Sequence, residues 1–256
     1  MLSLATMGLL WSATAALGSA APAQPLALRA PLLVMITPEG CGSQDHDALA
    51  SQVKLAVEGG ASLVQLRDST SPAHLKASLA VKLREVTKGR AMFMINGDPN
   101  LARKCGADGV HLPETMVTEA PELLQWTVQE NAADDNQAQK KEEKCFMLLG
   151  SSVHSVEAAL KAASLGCQYL QALLASSYHP GKIPEGLVLL SAIREALNRA
   201  GLCDVALVGV GGINESNCGA VVTEGEGDGI AVIRALTEAE DPAAVAWAML
   251  RQMSQS

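Results

Sequence analysis

The strongest constraint on the fold of this chain is an alternation that begins at Pro31, where short aliphatic runs are separated by stretches with helical apolar spacing. The first run, Leu32-Leu33-Val34-Met35-Ile36, is followed by Leu49, Val53, Ala56 and Val57 on one helical face, and Gly59-Gly60 then stops the helix. Comparable runs at 62–66, 91–95, 109–112, 145–149, 169–173, 205–209 and 229–233 bring the strand candidates to eight. Helical stripes such as Val156/Ala159/Leu160/Ala163 and Leu189/Leu190/Ile193/Leu197 lie between them. Strands that are apolar throughout and separated by helices are parallel strands, because the crossover helices cover them. Eight such units in about 225 residues predict an α/β fold of the closed (β/α)8 TIM-barrel type rather than an open doubly wound sheet. No Gly-x-Gly-x-x-Gly follows the first run, which argues against a dinucleotide site.

Two segments fall outside this pattern. Residues 1–30 read as a targeting leader or disordered arm: Leu2 to Leu17 is apolar but too short for a membrane span, and it lacks the basic start of a secretory signal. Its Ser, Thr and Ala content without acids suits import into an organelle, plastid or mitochondrion; a secretory signal and an apolar arm of the mature fold are the alternatives, and without import the chain is cytoplasmic. Residues 127–144 (TVQENAADDNQAQKKEEK) read as a polar insertion on the exterior of the barrel that spans 31–256, with a partner-docking segment as the other reading.

Nineteen Lys plus Arg against 27 Asp plus Glu give a formal charge of -8, which excludes a broad basic face for nucleic acid. Two Phe, two Tyr and three Trp are too few for a base-stacking platform. Six widely spaced Cys form no metal framework and read as reduced, mostly buried thiols. No membrane contact is expected of the mature form, and a homo-oligomer stays open.

In a parallel barrel the ligand meets the C-terminal ends of the strands. Those ends carry Gln65-Leu66-Arg67-Asp68-Ser69, Asn96-Gly97-Asp98, His111-Leu112-Pro113-Glu114, Gly150-Ser151-Ser152-Val153-His154, His179-Pro180-Gly181-Lys182, Gly211-Gly212-Ile213-Asn214 and Ile233-Arg234-Ala235. Gly211-Gly212, with Asn214 placed to cap the next helix, leaves backbone N–H groups facing the mouth. Together with the N–H groups around Ile233 and Arg234, they form the expected phosphate cradle.

Taken together, LVQLRDS (63–69), MINGDPNLARKCGADGVHLPE (94–114), GSSVHSVEAALKAASLGCQYL (150–170), VGVGGINESN (208–217) and GDGIAVIRAL (227–236) resemble the thiamine phosphate synthase/TenI superfamily, from about Leu32 to Arg251. The synthase branch joins a pyrimidine diphosphate to a thiazole phosphate and releases pyrophosphate. The TenI branch shares the barrel, and one activity in it is the aromatising tautomerisation of a carboxythiazole phosphate by proton transfer. The resemblance assigns Gln65, Arg67, Asn96 and Lys182 to substrate binding, Ser152 and His154 to the reacting region, and Gly211, Gly212, Ile233 and Arg234 to the phosphate. Arg234, where Ser is common, either contacts the phosphate or points outward.

The departures sit on the pyrophosphate side. Ser69 stands where synthases carry Lys, Gly97 where they carry the first magnesium Asp, and Met116 where they carry the second. Asp98 and Glu114 are the carboxylates that would have to rebuild the ion site. VHLP and SVHSVEAA look closer to TenI. No cofactor is then expected, with magnesium only on the synthase reading. His154 is the candidate for proton transfer, with a cap or hydrogen-bond partner at the start of the fifth helix as its alternative role. His111 reads as a buried barrel histidine, and His179 as a loop residue that either assists or lies at the surface. Three functions remain: a TenI-like thiazole tautomerase, a divergent thiamine phosphate synthase, and a non-catalytic regulatory barrel binding a small phosphorylated thiazole or pyrimidine.

Overall fold

The computed structural model describes residues 28–124, 147–174 and 185–255. The leader through residue 27, the insertion at 127–144, Cys145, His179 and Lys182 therefore lie outside the described residues.

Eight strands, β1 (Leu32–Ile36), β2 (Leu63–Leu66), β3 (Met92–Asn96), β4 (Gly109–Leu112), β5 (Leu148–Val153), β6 (Tyr169–Leu173), β7 (Ala206–Val210) and β8 (Gly229–Val232), close in chain order into a barrel, every neighbouring pair parallel. The helices are α1 (His46–Glu58), α2 (Ala73–Thr87), α3 (Pro99–Cys105), α4 (Ala120–Leu123), α5 (Val156–Ser164), α6 (Glu185–Arg199), α7 (Cys218–Thr223), α8 (Arg234–Thr237) and α9 (Pro242–Ser254). The predicted (β/α)8 barrel is the observed fold.

Period-two alternation decides what each strand residue touches. Leu33, Met35, Val64, Phe93, Ile95 and Val110 face outward and pack under the helices in the larger of two buried clusters. Leu32, Val34, Ile36, Leu63, Met94, Tyr169, Val208 and Ala231 point into the lumen and fill it, with Leu28 packed against them. The stripe read on α1 is buried as expected at Leu49, Val53, Ala56 and Val57. Each fully buried aliphatic side chain of this kind contributes about 1.5–3 kcal/mol.

The fifth strand differs from its reading. The sequence places it at 145–149, whereas β5 runs on to Val153. Ladders on both sides carry it there: Leu112 pairs with Ser151, and Ala172 with Val153. Gly150, Ser151 and Ser152 look like loop residues by composition, but the neighbouring strands supply their backbone partners.

At the opposite end from the mouth the strands are tied in pairs. A polar side chain just before each even-numbered strand accepts the N–H of a residue in the preceding odd-numbered one. The pairs are Leu33 N to Ser62 Oγ (3.4 Å), Phe93 N to Asp108 Oδ2 (2.8 Å), Leu149 N to Gln168 Oε1 (2.7 Å) and Leu207 N to Asp228 Oδ2 (2.7 Å). Two of these acceptors are also clamped by arginine. Arg84 of α2 donates to both oxygens of Asp108 at 2.7 and 3.0 Å, and Arg194 of α6 donates to Asp228 and to the carbonyl of Val205. The two clamps sit four strands apart.

The described cysteines are free thiols, with Cys41, Cys167 and Cys218 buried. Among the described residues, no helix is long and apolar enough to cross a membrane.

Candidate functional site

The upper lumen is closed by two buried polar chains. Gln171 Nε2 donates to Gln65 Oε1 at 2.7 Å, and Gln65 Nε2 donates to Asn96 Oδ1 at 3.0 Å. Gln65 is 1% exposed and Gln171 3%, so each amide needs the other to offset the cost of leaving water. Parallel to this chain, His111 lies between Tyr169 Oη (3.0 Å from Nδ1) and Ser152 Oγ (2.9 Å from Nε2). His111 is wholly buried, as its place in the strand predicted. Burial, reinforced by the Arg67 charge, pushes its pKa down to about 3, so it stays neutral and positions the Ser152 hydroxyl rather than exchanging protons.

His154 follows directly on β5 and keeps the inward parity of Gly150 and Ser152, which puts its ring at the rim. Its Nδ1 lies 2.8 Å from Glu114 Oε2, on the 3-10 turn Glu114–Glu119 that follows β4. Ser155, not His154, caps α5: its side chain accepts the N–H of Ala158 at 3.1 Å. The cap role for His154 is thereby removed, while its role as a hydrogen-bond partner at the start of that helix stands in the contact with Glu114. A carboxylate at Nδ1 orients the ring and favours the tautomer with its proton on Nδ1.

Gly211 and Gly212 have φ of 114° and 62°, a backbone region that side chains rarely adopt. Gly212 meets no atom within 4 Å of the Cβ it lacks, and its N–H has no acceptor among the described residues. Asn214 does not cap α7. It accepts instead from the backbone and hydroxyl of Ser216, and α7 begins only after Asn217, so five residues separate the glycines from that helix. Ile233 packs at the edge of the lumen cluster, and Arg234, the first residue of α8, is exposed with no ion pair among the described residues.

The rim after β1–β4 is built differently. Asp68 accepts from the N–H groups of Gly42 (2.7 Å), Ser71 (2.9 Å), Thr70 (3.0 Å) and Gly40 (3.3 Å), stapling the loops after β1 and β2 together. Burial works against its ionised form, but these bonds prevail and hold the carboxyl well below the usual range. Arg67 Nη1 lies 3.4 Å from Glu39 Oε2, and the other oxygen of Glu39 is taken up by Ser69 and Thr70. Glu39 and the Tyr169–His111 contact escape a motif reading, because their partners are 30 and 58 residues away.

A magnesium ion, implied by the resemblance on the synthase reading, does not fit the side chains at its expected place. The two positions do face each other, since the Met116 sulfur lies 4.0 Å from where a Gly97 Cβ would stand, with Pro113 Cγ at 3.6 Å. Hydrogen, thioether and pyrrolidine supply no hard oxygen donor. Asp98 is engaged at the start of α3, accepting the N–H of Leu101 at 2.9 Å, and Glu114 is engaged with His154. Among the described residues no group of three or more His, Cys, Asp or Glu side chains is arranged to hold a metal.

A family model described as thiamine monophosphate synthase matches residues 33–236. A thiamine-phosphate synthase of Gloeobacter violaceus is 33% identical over 212 residues, 80% of this chain but 54% of that protein, so this chain spans about half its length. That of Haloarcula marismortui is 35% identical over 209 residues, covering 78% and 87% of the two chains. Among solved structures, a thiamine phosphate pyrophosphorylase from Pyrococcus furiosus superposes with a TM-score of 0.65 at 27% identity, covering 88% of this chain and 96% of that one.

Proposed function

Because the chain belongs to the thiamine monophosphate synthase/TenI family, we propose that it binds a thiazole phosphate at the β5–β8 side of the mouth and moves a proton on it through His154. The observation that carries this reading is the His154–Glu114 pair at the rim beside Ser152. Gly211 and Gly212, with the backbone around Ile233 and Arg234, hold the phosphate; Gln65 and Asn96 form the polar floor. Lys182, outside the described residues, is proposed from the resemblance alone.

In the proton step a C–H bond of the thiazole breaks as its proton passes to His154 Nε2. A proton then returns to another atom of the same conjugated system. The reaction is redox-neutral, and Glu114 balances the imidazolium while it exists. The test is conversion of the carboxythiazole phosphate tautomer, followed by ultraviolet absorbance. His154→Ala should lose about 100-fold or more in rate, with Glu114→Gln intermediate. Unchanged turnover in His154→Ala sinks the reading.

The names of the curated relatives favour a second reading, thiamine phosphate synthesis. Pyrophosphate release from the two synthase substrates with added magnesium would support it. The chemistry of Gly97, Pro113 and Met116 speaks against it.

A further inference from the structure

Four donors converge at the rim after β2, and the point they share is filled by the protein's own carboxylate. Glu39 Oε1 accepts from Ser69 N at 2.5 Å, Ser69 Oγ at 2.8 Å and Thr70 N at 3.0 Å, while Oε2 faces Arg67 Nη1 at 3.4 Å. Two backbone N–H groups, of which that of Thr70 is shared with Asp68 Oδ1, a hydroxyl and a guanidinium aimed at one place make an anion receptor. The Ser69 hydroxyl and N–H hold the Glu39 carboxyl below its ordinary range, with a smaller contribution from Arg67. Host and guest are also tied to each other. Asp68 binds the N–H groups of Gly40 and Gly42 on the Glu39 loop, and those of Thr70 and Ser71 on the receptor loop.

We propose that Glu39 is a built-in anion that closes this receptor, so that the β1–β4 rim turns away a second anionic group and the mouth accepts ligands with a single phosphate. A tethered carboxylate competes at an effective concentration of roughly millimolar or more, so a free anion must displace it and then face its charge. The inference rests on the proposed ester site only for where that single phosphate sits.

The experiment is calorimetric titration of pyrophosphate, without metal, into the full chain. Wild type should bind weakly, Glu39→Ala at least about tenfold more tightly and Glu39→Gln by a smaller factor. The gain should vanish in Glu39→Ala/Arg67→Ala and survive in Glu39→Ala/Gly211→Ala. Affinities of Glu39→Ala and Glu39→Gln within twofold of wild type, with all three melting as folded proteins, overturn the proposal, as does a gain that persists without Arg67. If Glu39→Ala fails to fold, Glu39→Gln decides alone. The ester site is read separately: inorganic phosphate binding to wild type should be lost in Gly211→Ala, and its persistence there counts against that site while leaving the Glu39 result intact.

Discussion

Asp108 and Asp228 do the same work four strands apart. Each precedes an even-numbered strand, accepts a backbone N–H from the strand before it and is clamped by an arginine two helices back in the chain order, Arg84 on α2 or Arg194 on α6. At this end the halves β1–β4 and β5–β8 look alike. At the mouth they part. The β1–β4 rim satisfies its own donors, with Glu39 on Arg67 and Ser69, Asp68 on four N–H groups, and Met116 against Gly97. Among the described residues the β5–β8 rim leaves groups without partners: the N–H of Gly212, the exposed Arg234 and Nε2 of His154. The stability end of a barrel tolerates few solutions, whereas the loops above the strands vary freely on one frame.

The comparison breaks most directly at the level of rate. His154→Ala should cost tautomer conversion about 100-fold or more, whereas Ser69→Ala on the self-satisfied rim should stay within about threefold. Equal losses would mean that both rims take part in the chemistry.

At the other end the halves should respond alike. Asp108→Ala and Asp228→Ala each strand an arginine and a backbone N–H, and each should lower unfolding stability by about 3 kcal/mol in urea melts. A much larger cost at one of them would show that only one half carries the barrel.

The seam between the halves should show in the pH dependence of stability. His111 of β4 reaches Ser152 and Tyr169 on β5 and β6, and its folded pKa is depressed to about 3. The unfolded chain takes up a proton near pH 6.5 that the native chain refuses, so His111's contribution is present above about 6.5 and is lost as the pH falls toward 3. Between about pH 6.5 and 4.5, above the carboxylate range, the slope should approach 1.4 kcal/mol per unit, and His111→Gln should flatten it in pH-dependent melts.

The smallest effect contrasts two glycines with positive φ. An added Cβ at Gly211 would lie 3.0 Å from the Leu174 carbonyl oxygen, and φ there is 114°; at Gly97 the nearest atom is 3.6 Å away and φ is 66°. Gly211→Ala should therefore cost about 1–3 kcal/mol and weaken phosphate binding, while Gly97→Ala should cost about 1 kcal/mol and leave binding unchanged. Thermal melts and phosphate titration check both.

Much of the fold was legible because parallel strands buried on both faces are continuously apolar, and seven of the eight runs lie within a residue or so of their strands. The end of β5 was not, since Gly150-Ser151-Ser152 carries no apolar signal and owes its extended form to β4 and β6. Gln65, Asn96, Ser152 and His154 could be found from their places after or within strand runs. That Ser152 is held by a neutral histidine, or that Gln65 bridges Gln171 and Asn96, could not. The placement of Asn214 as a helix cap failed because the turn continues past it to Asn217.

The sequence by itself determined the barrel and the identity of the rim residues, because periodicity and residue type are local properties that survive without coordinates; that both magnesium carboxylates are missing is what the resemblance to the synthases implies. Only the tertiary structure decided how those residues are used. Glu39 and Arg67 are 28 positions apart, as the chain numbering shows, and they meet because β1 and β2 are neighbours and Asp68 ties their loops together. Whether a rim cation is free for a ligand or already neutralised depends on which loop folds over it, and that contact is fixed by strand pairing and loop closure rather than by any local pattern of residues.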